Sequence, residues 1–165
     1  MKTAEEILKI FINLKSSKVG EFGNIYPQIL SDLSKKKDKV VILEIGNRRG
    51  ETFKTLLDIA DNFIVYGIDI GVGEYKKLKT NEMLKKYGGE RAHPYIGSQD
   101  DKKLLHKIGK EVKEKYGGFD LVIDDGSHIN DHVKISFSVL SGYMKTFGKY
   151  AVEDVETSYY PEFKG

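Results

Sequence analysis

The 165-residue chain has no cysteine, few prolines and little imbalance of charge. Without cysteine it forms no disulfide and no thiolate metal site, so any metal must sit on carboxylates, histidines, carbonyls or water. Its 27 basic residues face 25 acidic ones, for a net charge of +2. The electrostatic footprint of a nucleic-acid binder is therefore missing, and no nucleic-acid partner is expected. No apolar run approaches the length of a membrane span, so no membrane partner is expected either. The opening Met1-Lys2-Thr3-Ala4-Glu5-Glu6 puts acids where a signal peptide needs positive charge, and Lys9 interrupts the apolar stretch. A cytoplasmic location is expected. No internal repeat and no low-complexity segment is present. The run Lys35-Lys36-Lys37 reads as a solvated loop before a strand, with a phosphate patch as the alternative.

What is present is an alternation. A hydrophobic fraction of 39% and a charged fraction of 32% fit one soluble globular domain. Residues 4–15 carry Ile7, Leu8, Ile10, Phe11 and Leu14 at helical spacing, behind a Thr3 cap with Glu6 three residues on. A glycine- and serine-containing loop follows, then a short helix over 26–34. Together, residues 1–38 read as an N-terminal helical cap. From 39 to 165 the pattern becomes a Rossmann-like domain. Strands are predicted at 40–45, 63–70, 92–96, 119–123 and 150–155. Helices are predicted after Gly50 and at 76–87, 102–116 and 131–147. The near-continuous apolar run Val40-Val41-Ile42-Leu43 suits a strand buried on both faces. Strands alternating with helices predict an α/β fold: a five-stranded parallel sheet with right-handed crossovers and helices on both faces.

In such sheets ligands bind beyond the carboxyl ends of the strands. The first strand ends in Glu44-Ile45-Gly46-Asn47-Arg48-Arg49-Gly50, the pattern E-x-G-x-x-x-G. Gly46 permits a sharp turn and close backbone approach. Asn47 and Arg48 fill the place where a dinucleotide fingerprint needs a second glycine, which disfavours NAD. The second strand ends at Asp69-Ile70. A carboxylate there can accept both hydroxyl protons of a ribose, about 20 residues past the glycine turn; alone, it would equally serve as a helix cap. Gly97-Ser98-Gln99 ends the third strand and offers polar groups where an adenine would lie. These points together resemble class I S-adenosylmethionine-dependent methyltransferases. The resemblance implies Glu44, Gly46, Asn47 and Gly50 around the amino-acid part of that cofactor. It also implies Asp69 with Ile70 at the ribose, Ser98 and Gln99 near adenine, and Asp124 in the same set.

The fourth strand runs into Asp124-Asp125-Gly126-Ser127-His128 and the fifth into Glu153-Asp154. Adjacent parallel strands end side by side, so four carboxylates are expected to converge. Acids crowded in one crevice repel unless a cation neutralises them. Hard oxygen donors point to Mg²⁺ or a similar divalent ion. The alternative for Asp124-Asp125-Gly126 is a turn with a helix cap. His128, three residues after Asp125, carries an imidazole, the side chain most often used as a general base. His93, His106 and His132 show no comparable neighbours.

Here the resemblance narrows. Phe119–His128 with Val152–Gly165 is similar to the metal-dependent sugar O-methyltransferases of macrolide antibiotic biosynthesis, the mycinamicin and tylosin type. That implies metal ligands at Asp125, Glu153 and Asp154, with His128 as base. Ser98 stands where relatives usually carry aspartate, and Ser17-Lys18-Val19-Gly20 where an Asp-Lys pair often precedes the glycine. The implied activity is methyl transfer to a hydroxyl of a sugar or glycosylated small molecule. The alternative is a shortened cofactor-binding module with no catalysis of its own. Family members continue past the fifth strand, so Tyr150–Glu153 is expected to form an edge without an internal lysine or proline. Such an edge would suit a homodimer or the remainder of a longer protein.

Overall fold

The computed structural model describes residues 2–16, 18, 25–71, 86 and 89–164. Helix α1 spans Ala4–Asn13 and α2 Ile25–Ser34. Strand β1 spans Val40–Ile45, α3 Glu51–Ile59, β2 Phe63–Asp69 and β3 Ala92–Ile96. Helix α4 spans Lys102–Tyr116, β4 Phe119–Asp124, α5 Asn130–Leu140 and β5 Met144–Val152. The helix expected over 76–87 lies, Lys86 apart, outside the described residues. Among the described residues no helix is long and apolar enough to cross a membrane.

Local chemistry sets the helix ends. The Glu6 amide donates to Thr3 Oγ1 at 3.2 Å and the Thr3 amide to Glu6 Oε2 at 2.7 Å, closing the expected capping box on α1. Asp101 Oδ1 accepts from the Lys103 and Leu104 amides at 3.0 and 3.1 Å and caps α4. Gly117, at φ 80°, ends that helix in the left-handed conformation that glycine adopts without penalty.

The five described strands form one parallel sheet in the order β3-β2-β1-β4-β5. β1 is central, which explains its apolar run: every residue from Val40 to Ile45 is buried. Val40 and Ile42 face one side, where Ile7, Phe11, Leu30, Phe53 and Leu56 of α1, α2 and α3 pack. Val41 and Leu43 face the other, against Leu105 and Ile108 of α4 and Leu140 of α5. Full burial of such a side chain contributes about 1.5–3 kcal/mol. The chain winds outward from β1 in both directions, so strand order reverses between β1 and β4. That reversal is where an open α/β sheet forms its ligand crevice.

The last helix and strand differ from expectation. Leu140, Tyr143, Met144 and Phe147 recur at helical spacing, yet α5 stops at Leu140 and a single 3₁₀ turn, Ser141–Tyr143, leads into β5. β5 therefore starts six residues before Tyr150 and ends at Val152. Its register slips: Met144 pairs with Phe119 but Lys149 with Leu121. The surplus residues bulge outward, with Phe147 at φ 66° and 93% exposed. Gly148 fills the tightest point, where a Cβ would press on the Phe119 carbonyl. Lys145 and Lys149 thus lie inside the strand, contrary to the lysine-free edge expected from sequence. Lysine is one of the residues that blunts an edge strand.

Candidate functional site

A cavity of about 730 Å³ opens at the carboxyl ends of the strands, within the size range of small-molecule sites. Its floor is the E-x-G-x-x-x-G turn. The Gly46 amide donates to the Ile68 carbonyl at 2.9 Å, and the Asp125 amide to the Ile45 carbonyl at 3.0 Å. This stitches the ends of β2, β1 and β4 together. Gly46 sits at φ 84°, and a Cβ there would collide with the Asp125 carbonyl, so no other residue fits. Gly50 opens α3 at φ 78° and does not line the cavity.

Glu44 and Asn47 form a buried pair beside this turn. Asn47 Nδ2 donates to Glu44 Oε2. Asn47 Oδ1 is buried with no hydrogen-bond partner among the described residues. A buried orphan acceptor is costly and points to a missing donor. Burial pushes the Glu44 carboxyl up to about 8, against the opposing charge of Lys18 and the Asn47 hydrogen bond. A buried carboxyl short of positive charge and an orphan carbonyl oxygen are a fitting receptor for an ammonium group.

Asp69 lies at the end of β2, its Oδ2 accepting from the Arg48 amide and its Oδ1 from the Gly71 amide, each at 2.8 Å. A carboxylate has about four lone-pair sites, so each oxygen keeps one acceptor position for a ligand hydroxyl. Ile70, 65% exposed, and Ser98 line the same cavity wall. Gln99 lines it too, but acts as a strut: its Nε2 donates to Asp124 Oδ1 at 3.1 Å and its Oε1 accepts from the Ser127 amide.

The acidic residues do not all converge. Asp124 is turned away from the cavity and spent inside the fold. It accepts from Ser136 Oγ at 2.6 Å, Tyr150 OH at 3.2 Å and Gln99. Successive residues at a strand end point to opposite sides, so Asp124 and Asp125 cannot share one face. Asp125, Glu153 and Asp154 do line the cavity, with His128. His128 Nε2 is 3.8 Å from Asp125 Oδ1 and 3.6 Å from Asp154 Oδ2. Ligand atoms of Asp125, His128 and Asp154 all lie within 4.8 Å of one another, a spacing a metal ion can bridge.

Glu153 has other partners. Tyr26 OH donates to its Oε1 at 2.6 Å, and Lys18 Nζ lies 2.8 Å from the same oxygen. Lys18 also pairs with Asp125 Oδ2. Burial opposes charge on Lys18, but Glu44, Asp125 and Glu153 outweigh it and hold the ammonium above its ordinary range. Burial likewise raises Glu153, against the pull of Lys18. A cation already sits between two of the expected ligands, so this donor set suits positive charge.

Sequence patterning missed several of these groups. Lys18 and Tyr26 belong to the N-terminal cap, whose periodicity says only what faces the core. His132 is not bland: its Nδ1 lies 2.9 Å from Ser127 Oγ and its Nε2 3.6 Å from Asp100 Oδ2. Backbone strain is a further sign invisible in sequence. Among the described residues five non-glycines have positive φ, and Lys15, Arg48, His128 and Asp154 of these line the cavity, leaving only Phe147 elsewhere. Such conformations persist where surrounding structure enforces them, and they gather at functional sites.

The geometry has counterparts. No protein-family model matches the chain. Mycinamicin VI 2''-O-methyltransferase of Micromonospora griseorubida is 39% identical over 101 residues, 61% of this chain and 22% of that protein. The chain's relatives include macrolide-sugar O-methyltransferases. Demethylmacrocin O-methyltransferase of Streptomyces fradiae is 38% identical over 137 residues, 79% of this chain and 31% of that protein. The MycE methyltransferase of the mycinamycin pathway, solved with Mg, SAH and mycinamycin VI, superposes with a TM-score of 0.73 at 28% identity. That match covers 96% of this chain and 42% of MycE. The Rossmann-like methyltransferase fold is thus shared with the macrolide-sugar O-methyltransferases over nearly the whole chain. The chain spans 22% and 31% of the length of these two curated relatives.

Proposed function

We propose that this chain is an S-adenosylmethionine- and Mg²⁺-dependent O-methyltransferase acting on a hydroxyl of a sugar or glycosylated small molecule. The observation that carries the reading is the gathering of Glu44, Asp69, Asp125, His128, Glu153 and Asp154 around one cavity at the switch point of the sheet. In this reading Glu44 and Asn47 receive the cofactor's ammonium, Asp69 its ribose hydroxyls with Ile70 beside them, and Ser98 its adenine end, with Gln99 bracing that wall. Asp125, Glu153 and Asp154 would hold the metal.

When bound, Mg²⁺ supplies positive charge that lowers the pKa of an acceptor hydroxyl, and S-adenosylmethionine supplies an electrophilic methyl group. His128 would take the proton of the acceptor hydroxyl on its ring nitrogen. Thr157 Oγ1 donates to the His128 carbonyl at 3.4 Å and ties that loop to the segment after Asp154.

Calorimetry with S-adenosylhomocysteine, with and without Mg²⁺, tests the reading. Wild type should bind. Asp69→Ala should bind about 10–150-fold more weakly, the loss of charge-assisted hydrogen bonds worth about 1.5–3 kcal/mol. No binding at millimolar ligand would overturn the proposal. Binding without turnover on any glycosylated acceptor would support a cofactor-binding module instead.

The proposed partners are the small-molecule acceptor and a second copy of the chain. β5 ends the strand order, so its outer edge is unpaired among the described residues. Two copies related by a two-fold axis can pair the part of that edge beyond the bulge and the two lysines, Tyr150–Val152, with itself. Sedimentation over a range of concentrations should show a dimer; a monomer throughout removes this partner.

A further inference from the structure

The acidic end of the site already holds a cation of its own. Lys18 Nζ pairs with Asp125 Oδ2 and lies 2.8 Å from Glu153 Oε1, and its side chain is 1% exposed. Tyr26, from the same N-terminal cap, donates to that Glu153 oxygen at 2.6 Å. The cap thus contributes two donors to the carboxylates proposed above as metal ligands. Asp125 is two-sided: Oδ2 faces Lys18, while Oδ1 faces His128 and, beyond it, Asp154.

A Mg²⁺ ion needs oxygens at about 2.0–2.1 Å in near-octahedral order. The ammonium nitrogen stands in contact with both Asp125 and Glu153, in the space between them. A divalent ion using both carboxylates would take that space, and two cations there would repel strongly in a low-dielectric interior. We propose that the Lys18 ammonium and the divalent metal are mutually exclusive partners of Asp125 and Glu153, so that metal loading expels Lys18 and couples site occupancy to the N-terminal cap. The inference rests on the metal reading above. It gives Lys18 the role of a positioning residue: without metal it keeps the buried acids from repelling one another, and it sets how tightly metal binds.

Linkage supplies the test. Mn²⁺, as a Mg²⁺ substitute, is titrated by calorimetry into the full chain and into Lys18→Met. The variant should bind Mn²⁺ more tightly, by roughly the 5–150-fold typical of coupled sites. Equal or weaker binding overturns the inference. Lys18→Met strips Asp125 and Glu153 of a buried counter-ion and can unfold the chain, so wild type gives a second reading. Acetylation of the Lys18 amine, followed by peptide mass spectrometry, should be slow without metal and at least severalfold faster with Mg²⁺. A rate that ignores Mg²⁺ overturns the exclusion. If Mn²⁺ binds to both proteins equally, only this inference falls; if it binds to neither, the metal reading falls with it.

Discussion

The two ends of the sheet bury carboxylates equally well and treat them in opposite ways. At the amino end Asp120, 3% exposed, accepts from Lys36 Nζ at 2.8 Å, Lys145 Nζ at 2.7 Å and the Val41 amide at 2.8 Å. Burial alone would raise its carboxyl, but those hydrogen bonds outweigh it and hold it below the usual range. At the carboxyl end Glu44 and Glu153, 2% and 6% exposed, are raised by burial despite Lys18. The acid at one end has every partner it needs; those at the other share one ammonium. A satisfied buried acid fixes structure, whereas under-compensated ones in a cleft await a ligand. The contrast separates what holds β4 and β5 together from what the site does.

The sharpest way to break the comparison is at the carboxyl end. His128→Ala should reduce turnover by roughly 10²–10⁴-fold, the usual worth of a general base. Affinity for S-adenosylhomocysteine should stay close to wild type, because none of the proposed cofactor contacts is touched. Activity assays on a glycosylated acceptor, beside ligand calorimetry, check both halves. Loss of cofactor affinity in step with turnover would show that His128 supports the cavity instead of the chemistry.

Only the carboxyl-end half of this contrast was legible in the sequence; Asp120 gave no signal there, and its partner Lys36 read as part of a solvated loop. The E-x-G-x-x-x-G turn and Asp69 are read from local rules, because a strand end followed by a glycine turn fixes where its side chains go. Asp125, Glu153 and Asp154 follow from parallel strands ending side by side. Asp124 was misjudged because two adjacent carboxylates look like a pair until the pleat sends them to opposite faces. Lys18 and Tyr26 approach from a remote segment, |i−j| of 107 and 127 from their acids, and no periodicity encodes such a meeting. The start of β5 was missed because a bulge around Phe147 and a 3₁₀ turn at Ser141–Tyr143 mimic helical spacing.

The amino end should respond in stability alone. Asp120→Ala leaves the Val41 amide buried without an acceptor, a cost of about 1–3 kcal/mol. Lys36 and Lys145 are partly exposed and can return to water, so the lost ion pairs add little. Urea unfolding should show the loss, with cofactor affinity unchanged. The pH dependence has a definite sign. A depressed carboxyl stabilises the fold above its unfolded value of about 3.9, and that contribution disappears as pH falls through the folded value. Wild type should therefore lose its advantage over Asp120→Ala on acidification below about pH 4. A gap that persists into strong acid would mean that packing, not charge, carries the effect.

The subtlest test reverses that sign at Glu44. Its carboxyl is pushed up to about 8 in the fold, against about 4.3 in an unfolded chain. Between those values the folded state holds a proton that the unfolded state has released. Stability therefore falls as pH rises through the window, by at most about 1.4 kcal/mol per pH unit. Glutamine is nearly isosteric with the protonated acid and can still accept the Asn47 hydrogen bond, so Glu44→Gln should remove this slope. Urea midpoints of both proteins at pH 5, 6, 7 and 8 should converge at the acid end and separate at the alkaline end, with the variant the more stable there. Parallel curves would mean that Glu44 is already ionised in the fold, with Lys18 as its full counter-ion. The carboxyl end would then be as well compensated as Asp120, and the orphan oxygen of Asn47 alone would be left to mark the place where an ammonium group binds.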